Sequence, residues 1–428
     1  MRIEILTIGD ELLLGFTIDT NGAHLARELA SVGIEIVRRS SVGDGAEDIA
    51  AAVREALDRT GAVITTGGLG PTADDLTKPS IAALFGRAMV MDAEHLAWLE
   101  ERWRTRFGGE LPHSNRQQAL MPEGARKLVN RHGSAPGVWL EDERGRWVAM
   151  LPGVPREMRG MLADELGPIL RERAAREQAA RGATGEPTVV RSRTLRTTAI
   201  AESAIADRLG DLARGMDGLS LAYLPGHEGV DLRLTARDRT AADADAALAR
   251  GIDALRAHVA QWAYGEDATD MAQVILERCR ADGLTLAVAE SCTGGLLGAR
   301  LTSVPGSSDV FLGGVISYAN AVKVDALGVP AEMLREHGAV SEPVAARMAR
   351  GARERLGARI GVAITGVAGP GGGTEEKPVG TVWTAVDVDG EVRTHRSVFI
   401  GDRAEIRFRA SQFALELVRR TLARPAAD

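Results

Sequence analysis

From residue 1 to about 170, apolar and polar positions follow a strand-then-helix rhythm. IEILTIG (3–9) reads as a strand, and NGAHLARELASVG (21–33) carries its apolar residues at helical spacing up to Gly33. IEIVRRSSVG (34–43), EDIAAAVREALDRTG (47–61) and GAVITT (61–66) predict a second strand, a second helix and a third strand. Short apolar strands separated by helices of this length predict a parallel sheet with right-handed crossovers, a doubly wound layer. Ligands in such sheets bind beyond the carboxyl ends of the strands. Two of those ends are GDE (Gly9, Asp10, Glu11) and TTGGLGPTADD (Thr65 to Asp75).

The rhythm breaks at 171–188, RERAAREQAARGATGEPT, where small polar residues and a Gly/Pro cluster predict a helix end and linker. RSRTLRT, AIAESAIADRLGDLA, LSLAYLPG, VDLRLTARD and AADADAALARGIDALRAHVA then predict strand, helix, a two-stranded hairpin and helix, a small α+β module over 189–264. GHEG at 226–229 has the GxxG spelling of a nucleic-acid-clamping loop, but its place between two strands and its Glu228 read as a hairpin turn. From 265 to 428 the alternation resumes. MAQVILERCRADG, GLLGARLTSVPG, SEPVAARMARGARERLG and DRAEIRFRASQFALELVRRTLA predict helices, LTLAVAE, VFLGGVISYAN and ARIGVAITG strands, and GTVWTAVDVDGEVRTHRSVF a hairpin turning at Asp389-Gly390. The fold class expected is α/β: two separate three-layer α/β domains, 1–170 and 265–428, joined by the small module.

Composition narrows the functional classes. With 428 residues, 45% hydrophobic and 26% charged, and a mean hydropathy of -0.07, the chain has the balance of a soluble globular protein of two or three domains. Cys279 and Cys292 are its only cysteines, too few for a disulfide framework and read as a sign of a reducing, cytoplasmic setting. The first residues lack a long apolar core, so neither secretion nor a membrane is expected. Net charge is -7; from Met271 onward there are 19 Lys+Arg against 18 Asp+Glu, which leaves 33 against 41 before it. Nucleic-acid binders need a basic face, so no nucleic-acid partner is expected. Lys78, Lys127, Lys323 and Lys377 are the only lysines against 48 arginines, so each retained lysine invites the question of whether a titratable amine is required there.

Two strand ends carry candidate chemistry. In the N-terminal domain, Gly67, Gly68, Gly70 and Thr72 form a loop that can bring N–H groups close to phosphate oxygens, beside Asp74, Asp75, Asp10 and Glu11 that can hold a divalent cation. Glu157, after the rigid PGVP turn, is a further acidic candidate. In the C-terminal domain, LTLAVAE runs into SCTGG, which places Ser291 on a tight strand-to-helix turn with its hydroxyl reachable. SYANAVK puts Tyr318, Asn320 and Lys323 after the next strand, and AITG puts Thr365 after the one following. A desolvated lysine can deprotonate serine, the Ser-Lys variant of acyl-transfer chemistry. Cys292 is read as a packing residue, because consecutive residues at a turn point differently.

GDELLLG (9–15), DTN (19–21), TTGGLGPTADDLT (65–77), LPGVPREM (151–158), AESCTGG (289–295), GGVISYANAVK (313–323) and AITGVAGPGGG (363–373) together resemble the CinA, competence/damage-inducible, family over essentially the whole chain. The resemblance implies a C-terminal domain that hydrolyses the amide of nicotinamide mononucleotide to nicotinate mononucleotide and ammonia. It implies a molybdopterin-binding-like N-terminal domain that cleaves the pyrophosphate of ADP-ribose with a divalent metal, and a KH-like connector. Carried onto this sequence, Ser291 is the nucleophile and Lys323 its base, with Ser308, Tyr318 and Thr365 lining the site. Thr293, Gly294, Gly295, Asn320 and Gly366 belong to the same motifs as substrate-binding positions, and Arg403 or Arg407 is the phosphate anchor, with the choice open. Asp10, Glu11, Asp74, Asp75 and Glu157 are the acidic positions for metal. No cofactor is expected for the deamidase domain, and a homodimer is the expected assembly. Two alternatives stand beside this reading: an N-terminal domain that binds a pterin or nucleotide without turnover, and a role in competence or DNA damage through nucleic-acid or protein partners.

Overall fold

The computed structural model describes residues 1–180, 186, 188–214 and 216–423. The chain divides into two compact units, residues 1–191 with 236–246, and residues 192–235 with 247–428.

The first unit is built on a six-stranded sheet in the order Glu35–Val42, Arg2–Ile8, Ala62–Thr66, Trp147–Leu151, Gly137–Glu141, Arg126–Leu128. The first four strands are parallel, as the strand-helix rhythm predicts. Gly137–Glu141 runs antiparallel to both of its neighbours, so the all-parallel expectation is corrected at one edge. The cause is local. Gly137–Glu141 and Trp147–Leu151 are joined by a turn in which Asp142 accepts from the N–H groups of Arg144 and Arg146, both at 2.9 Å, and Gly145 takes φ 76°. So short a connection can only return the chain antiparallel. The central strands are buried on both faces, with Ile3, Ile5, Val63 and Ile64 essentially inaccessible. Helix Gly167–Ala180 runs into the segment expected to be linker, and residues 181–185 and 187 of that segment lie outside the described residues.

The glycine loop follows Ala62–Thr66. Gly67 sits at φ 114°, where a Cβ would stand 2.1 Å from the Ile8 carbonyl oxygen, and Gly68 at φ 64°, where one would meet the Thr77 hydroxyl at 2.1 Å. Both positions therefore exclude side chains, which explains the pair of glycines without reference to a ligand.

In the second unit a five-stranded sheet runs Phe311–Ile316, Leu286–Glu290, Ile360–Gly366, Thr381–Val388, Glu391–Val398. The first three strands are parallel and the last two form the expected hairpin, with Asp389 and Gly390 at positive φ. Helices Met271–Ala281 and Arg403–Leu422 pack on one face and Glu342–Leu356 on the other, giving two apolar cores. The terminal helix begins with a reciprocal cap: Asp402 accepts from the Glu405 N–H at 2.9 Å, and Glu405 from the Asp402 N–H at 2.8 Å. SYANAVK does not extend the preceding strand; it opens a helix, Asn320–Leu327, that the sequence reading missed.

The connector carries the expected hairpin, Ser220–Pro225 with Val230–Thr240, and a strand that was not expected, Ala263–Glu266. The GHEG turn is consumed internally. Glu228 pairs with Arg196 and lies 3.7 Å from Arg300, the Thr198 hydroxyl donates to its carbonyl at 2.7 Å, and His227 faces Glu405 at 3.6 Å. Among the described residues no helix is long and apolar enough to cross a membrane.

Candidate active site

Three parallel strands end side by side in the C-terminal sheet, and Ser291 is the first residue beyond the middle one. Its N–H donates to Ile364 O at 2.9 Å, which ties the turn to the neighbouring strand. Gly294 and Gly295 then take φ 59° and 96°, a left-handed pair that turns the chain into helix Leu296–Thr302. The N-terminus of that helix is held by a residue the sequence reading overlooked. Buried Glu290 accepts from the N–H groups of Gly295 and Leu297, both at 3.0 Å, and Gly298 at 2.8 Å. A carboxylate satisfying three orphan donors at a helix start is favoured by hydrogen bonding and by the helix dipole. The signal was available as AES before a Thr-Gly-Gly turn, but the three-residue approach of helix to strand end exists only in the fold.

Lys323 reaches this turn from helix Asn320–Leu327. It is 1% exposed, and its Nζ lies 3.1 Å from Ser291 Oγ. The same nitrogen donates to Ser317 O at 2.6 Å and to Tyr318 O at 3.5 Å, and among the described residues no carboxylate pairs with it. Burial lowers its pKa, with only a weak opposing pull from Cys292. A neutral amine has two N–H groups and one lone pair. As an ammonium the nitrogen donates to both carbonyls and to Ser291 Oγ; once it sheds a proton, two N–H groups remain for the carbonyls and the lone pair is left for the serine hydroxyl. Ser317 is the second overlooked residue: fully buried, it donates its N–H to Glu290 O at 2.7 Å while its own carbonyl holds Lys323.

The contrast with Lys78 is informative. Its Nζ has three backbone acceptors, Gln117 O, Gln118 O and Leu120 O, at 3.0, 3.1 and 2.8 Å, and burial brings its pKa down to about 8. Three acceptors match three ammonium protons, so Lys78 is a structural tie. Cys292 is buried, which pushes its thiol up to about 12 and leaves it inert as a nucleophile.

Other anticipated residues fall around this pair in different ways. Thr293 is fully buried and its hydroxyl has no hydrogen-bond partner. Thr365, at the end of the adjacent strand, is also buried but spends its hydroxyl on Ala339 O at 2.8 Å. Gly366 lies against the next strand, where a Cβ would meet Thr381 O at 2.7 Å. Tyr318 is 62% exposed at the rim, and its oxygen accepts from Arg403, 2.9 Å away. Arg403 also donates to Gly369 O at 2.7 Å, while Arg407 donates to Thr293 O at 2.7 Å, two residues beyond Ser291. Asn320 is exposed at the start of its helix. Ser308 is not brought to the site and its placement there is corrected. It stands in the turn Ser307–Asp309 before strand Phe311–Ile316, the opposite end from Ser291 in a parallel pair, and a five-residue strand spans roughly 15 Å.

In the N-terminal domain a cleft of 510 Å³ opens over the glycine loop. Gly67, Gly68, Gly70, Glu11, Asp74, Asp75 and Glu157 line it, and Asp10 does not. The phosphate cradle expected of Gly70 and Thr72 is already filled: Asp75 accepts from the Gly70 N–H at 2.7 Å, the Thr72 N–H at 2.8 Å and the Thr72 hydroxyl at 2.5 Å. Asp10 and Asp44 exchange backbone-to-carboxylate bonds at 3.0 and 3.2 Å, and Glu157 accepts from Asn130 at 2.6 Å. Burial pushes Asp44 above the usual carboxylate range; the Asp10 N–H opposes this, and the charges of Asp10, Glu11 and Asp74 add to it. Among the described residues no three His, Cys, Asp or Glu side chains converge to hold a metal, so as arranged the donor set does not fit an ion.

Comparison with known proteins identifies the family. Residues 4–172 match the model of a probable molybdopterin binding domain, 192–265 that of the damage-inducible protein CinA KH domain, and 268–422 that of the CinA C-terminal domain. A CinA-like protein of Gemmatimonas aurantiaca is 65% identical over 428 residues, covering 100% of this chain and 98% of that one. The chain belongs to the CinA family. A putative competence-damage inducible protein of Moorella thermoacetica is 42% identical over 422 residues, 99% of each chain. Among solved structures, the competence/damage inducible protein CihA of Agrobacterium tumefaciens matches with 43% identity and a TM-score of 0.35, covering 36% of this chain and 94% of that one.

Proposed function

We propose that the C-terminal domain of this CinA-family chain is an amidohydrolase acting on nicotinamide mononucleotide. The observation that carries the reading is the 3.1 Å contact between Ser291 Oγ and a buried, carboxylate-free Lys323 amine. Ser291 Oγ attacks the carboxamide carbon as Lys323 takes its proton; the same proton passes to the departing ammonia, and water then cleaves the acyl-serine by the same base. The unpartnered Thr293 hydroxyl supplies a donor for the developing oxyanion. The nucleotide's phosphate lies several bonds from its amide, which suits exposed Arg403 at the Tyr318 rim better than Arg407 beside the nucleophile. Incubation with nicotinamide mononucleotide and an ammonia assay tests this, with Ser291→Ala expected to release none.

For the N-terminal domain we propose nucleotide binding, with the pyrophosphate of ADP-ribose as the bond cleaved; a cleft at a strand-end glycine loop supports it. Because the carboxylates do not converge, no step is routed through a metal. AMP release from ADP-ribose by residues 1–180 tests it.

A further inference from the structure

Charge is segregated between two adjoining cavities of the N-terminal domain. The 510 Å³ cleft is lined by six carboxylates, Glu11, Asp19, Asp44, Asp74, Asp75 and Glu157, and by no Lys, Arg or His. A bare diphosphate placed there meets only like charge. Beside it, sharing Ser134 and Glu157 as walls, is a second cavity of 320 Å³. Three arginines line this one, Arg102, Arg106 and Arg156, against the single shared carboxylate.

Two neighbouring arginines are paired, Arg104 with Glu101 and Arg116 with Glu100. Arg102 and Arg106, one helical turn apart on helix Ala93–Phe107, have no ion-pair partner among the described residues; they lie instead over the rings of Trp98 and Phe107, at 5.1 and 5.2 Å. Arg156 uses one N–H on His132 O at 2.7 Å and keeps the rest of its fork. Trp103 and Phe107, rings 4.6 Å apart, add aromatic surface to the same cavity, and Phe107 is 63% exposed.

We infer that this second cavity is the phosphate and base subsite for a nucleoside diphosphate carrying a second sugar. The inference rests on the nucleotide-binding reading of the domain and reassigns where the anion sits. Unpaired guanidinium groups take the diphosphate, and the Trp103–Phe107 surface takes the base. The terminal sugar extends past Ser134 into the acidic cleft, where carboxylates accept from its hydroxyls. The division explains why the glycine loop has its own carboxylate, Asp75, in the place where a phosphate was expected.

The test is photolabelling of the full chain with 8-azido-ADP-ribose followed by peptide mapping. Labelling is expected within residues 99–115, with competition by AMP and not by adenosine. Arg102→Ser/Arg106→Ser, exposed positions whose exchange leaves Tm unchanged, is expected to lower it about tenfold, and Arg102→Lys/Arg106→Lys to restore part of it. Labelling confined to peptides 9–21 and 66–75, or undiminished in the serine variant, overturns the subsite and leaves the domain's function standing. Absence of label anywhere in residues 1–180 overturns both.

Discussion

At the scale of single residues, two buried lysines that look equivalent in the sequence are set apart by their acceptors. Lys323 has two carbonyls and a hydroxyl, Lys78 three carbonyls. Lys323→Arg keeps the charge but cannot shed a proton, so it is expected to lose kcat by a factor on the order of 10²–10⁴, much as Lys323→Ala does. Near-normal kcat with raised KM in steady-state kinetics would make Lys323 an anchor instead of a base. The pH profile has a defined sign. Burial lowers the folded pKa of Lys323, so activity is lost as pH falls through that depressed value and the amine protonates. Stability moves the same way: the unfolded lysine holds its proton up to about 10.4, so between the depressed and ordinary values stability rises with pH. Lys323→Met should flatten that rise in denaturant titrations across the window. Lys78→Met removes the donor shared by Gln117 O, Gln118 O and Leu120 O and is expected to cost about 1–3 kcal/mol, read as a lowered Tm, with no effect on deamidation.

At the scale of elements, the candidate site is a product of one strand-to-helix turn and how it is held. Glu290 binds three N–H groups of the following helix, and its carbonyl accepts from Ser317, whose own carbonyl holds Lys323. Ser291 and Lys323 therefore hang on a common post. Glu290→Gln keeps size but loses charge at the helix start, so a loss of about 1–3 kcal/mol is expected, together with a fall in kcat as the Ser291–Lys323 distance loosens. Thermal denaturation and kinetics on the same sample check the two together; a destabilised variant with unchanged kcat would detach Glu290 from the site. The sequence marked Ser291 and Lys323 because apolar strands and small residues announce such turns. It did not mark Glu290 or Ser317, whose importance lies in backbone partners that periodicity does not report. Ser308 was misplaced because a motif carried over by resemblance says nothing of which strand end a residue occupies.

At the scale of the whole molecule, the two candidate sites belong to separate compact units with separate cores. Asp75→Asn, whose amide keeps one acceptor oxygen where the carboxylate offers two to Gly70 and Thr72, is expected to change nucleotide binding by the N-terminal domain while deamidation stays within about twofold. Parallel loss of both activities would show that the units act as one. By itself the sequence determined the α/β class, the order of most strands and helices, the hairpin at Asp389-Gly390 and the turn that presents Ser291. These are local properties, written in spacing, glycine placement and apolar runs. Only the tertiary structure decided the antiparallel edge of the first sheet, the inward use of the GHEG turn, and the occupation of the glycine loop by Asp75. Each of these depends on what a charged or polar group finds once distant segments meet. Which N–H a carboxylate meets at 3 Å is set by the fold, while the sequence records only that the carboxylate is present.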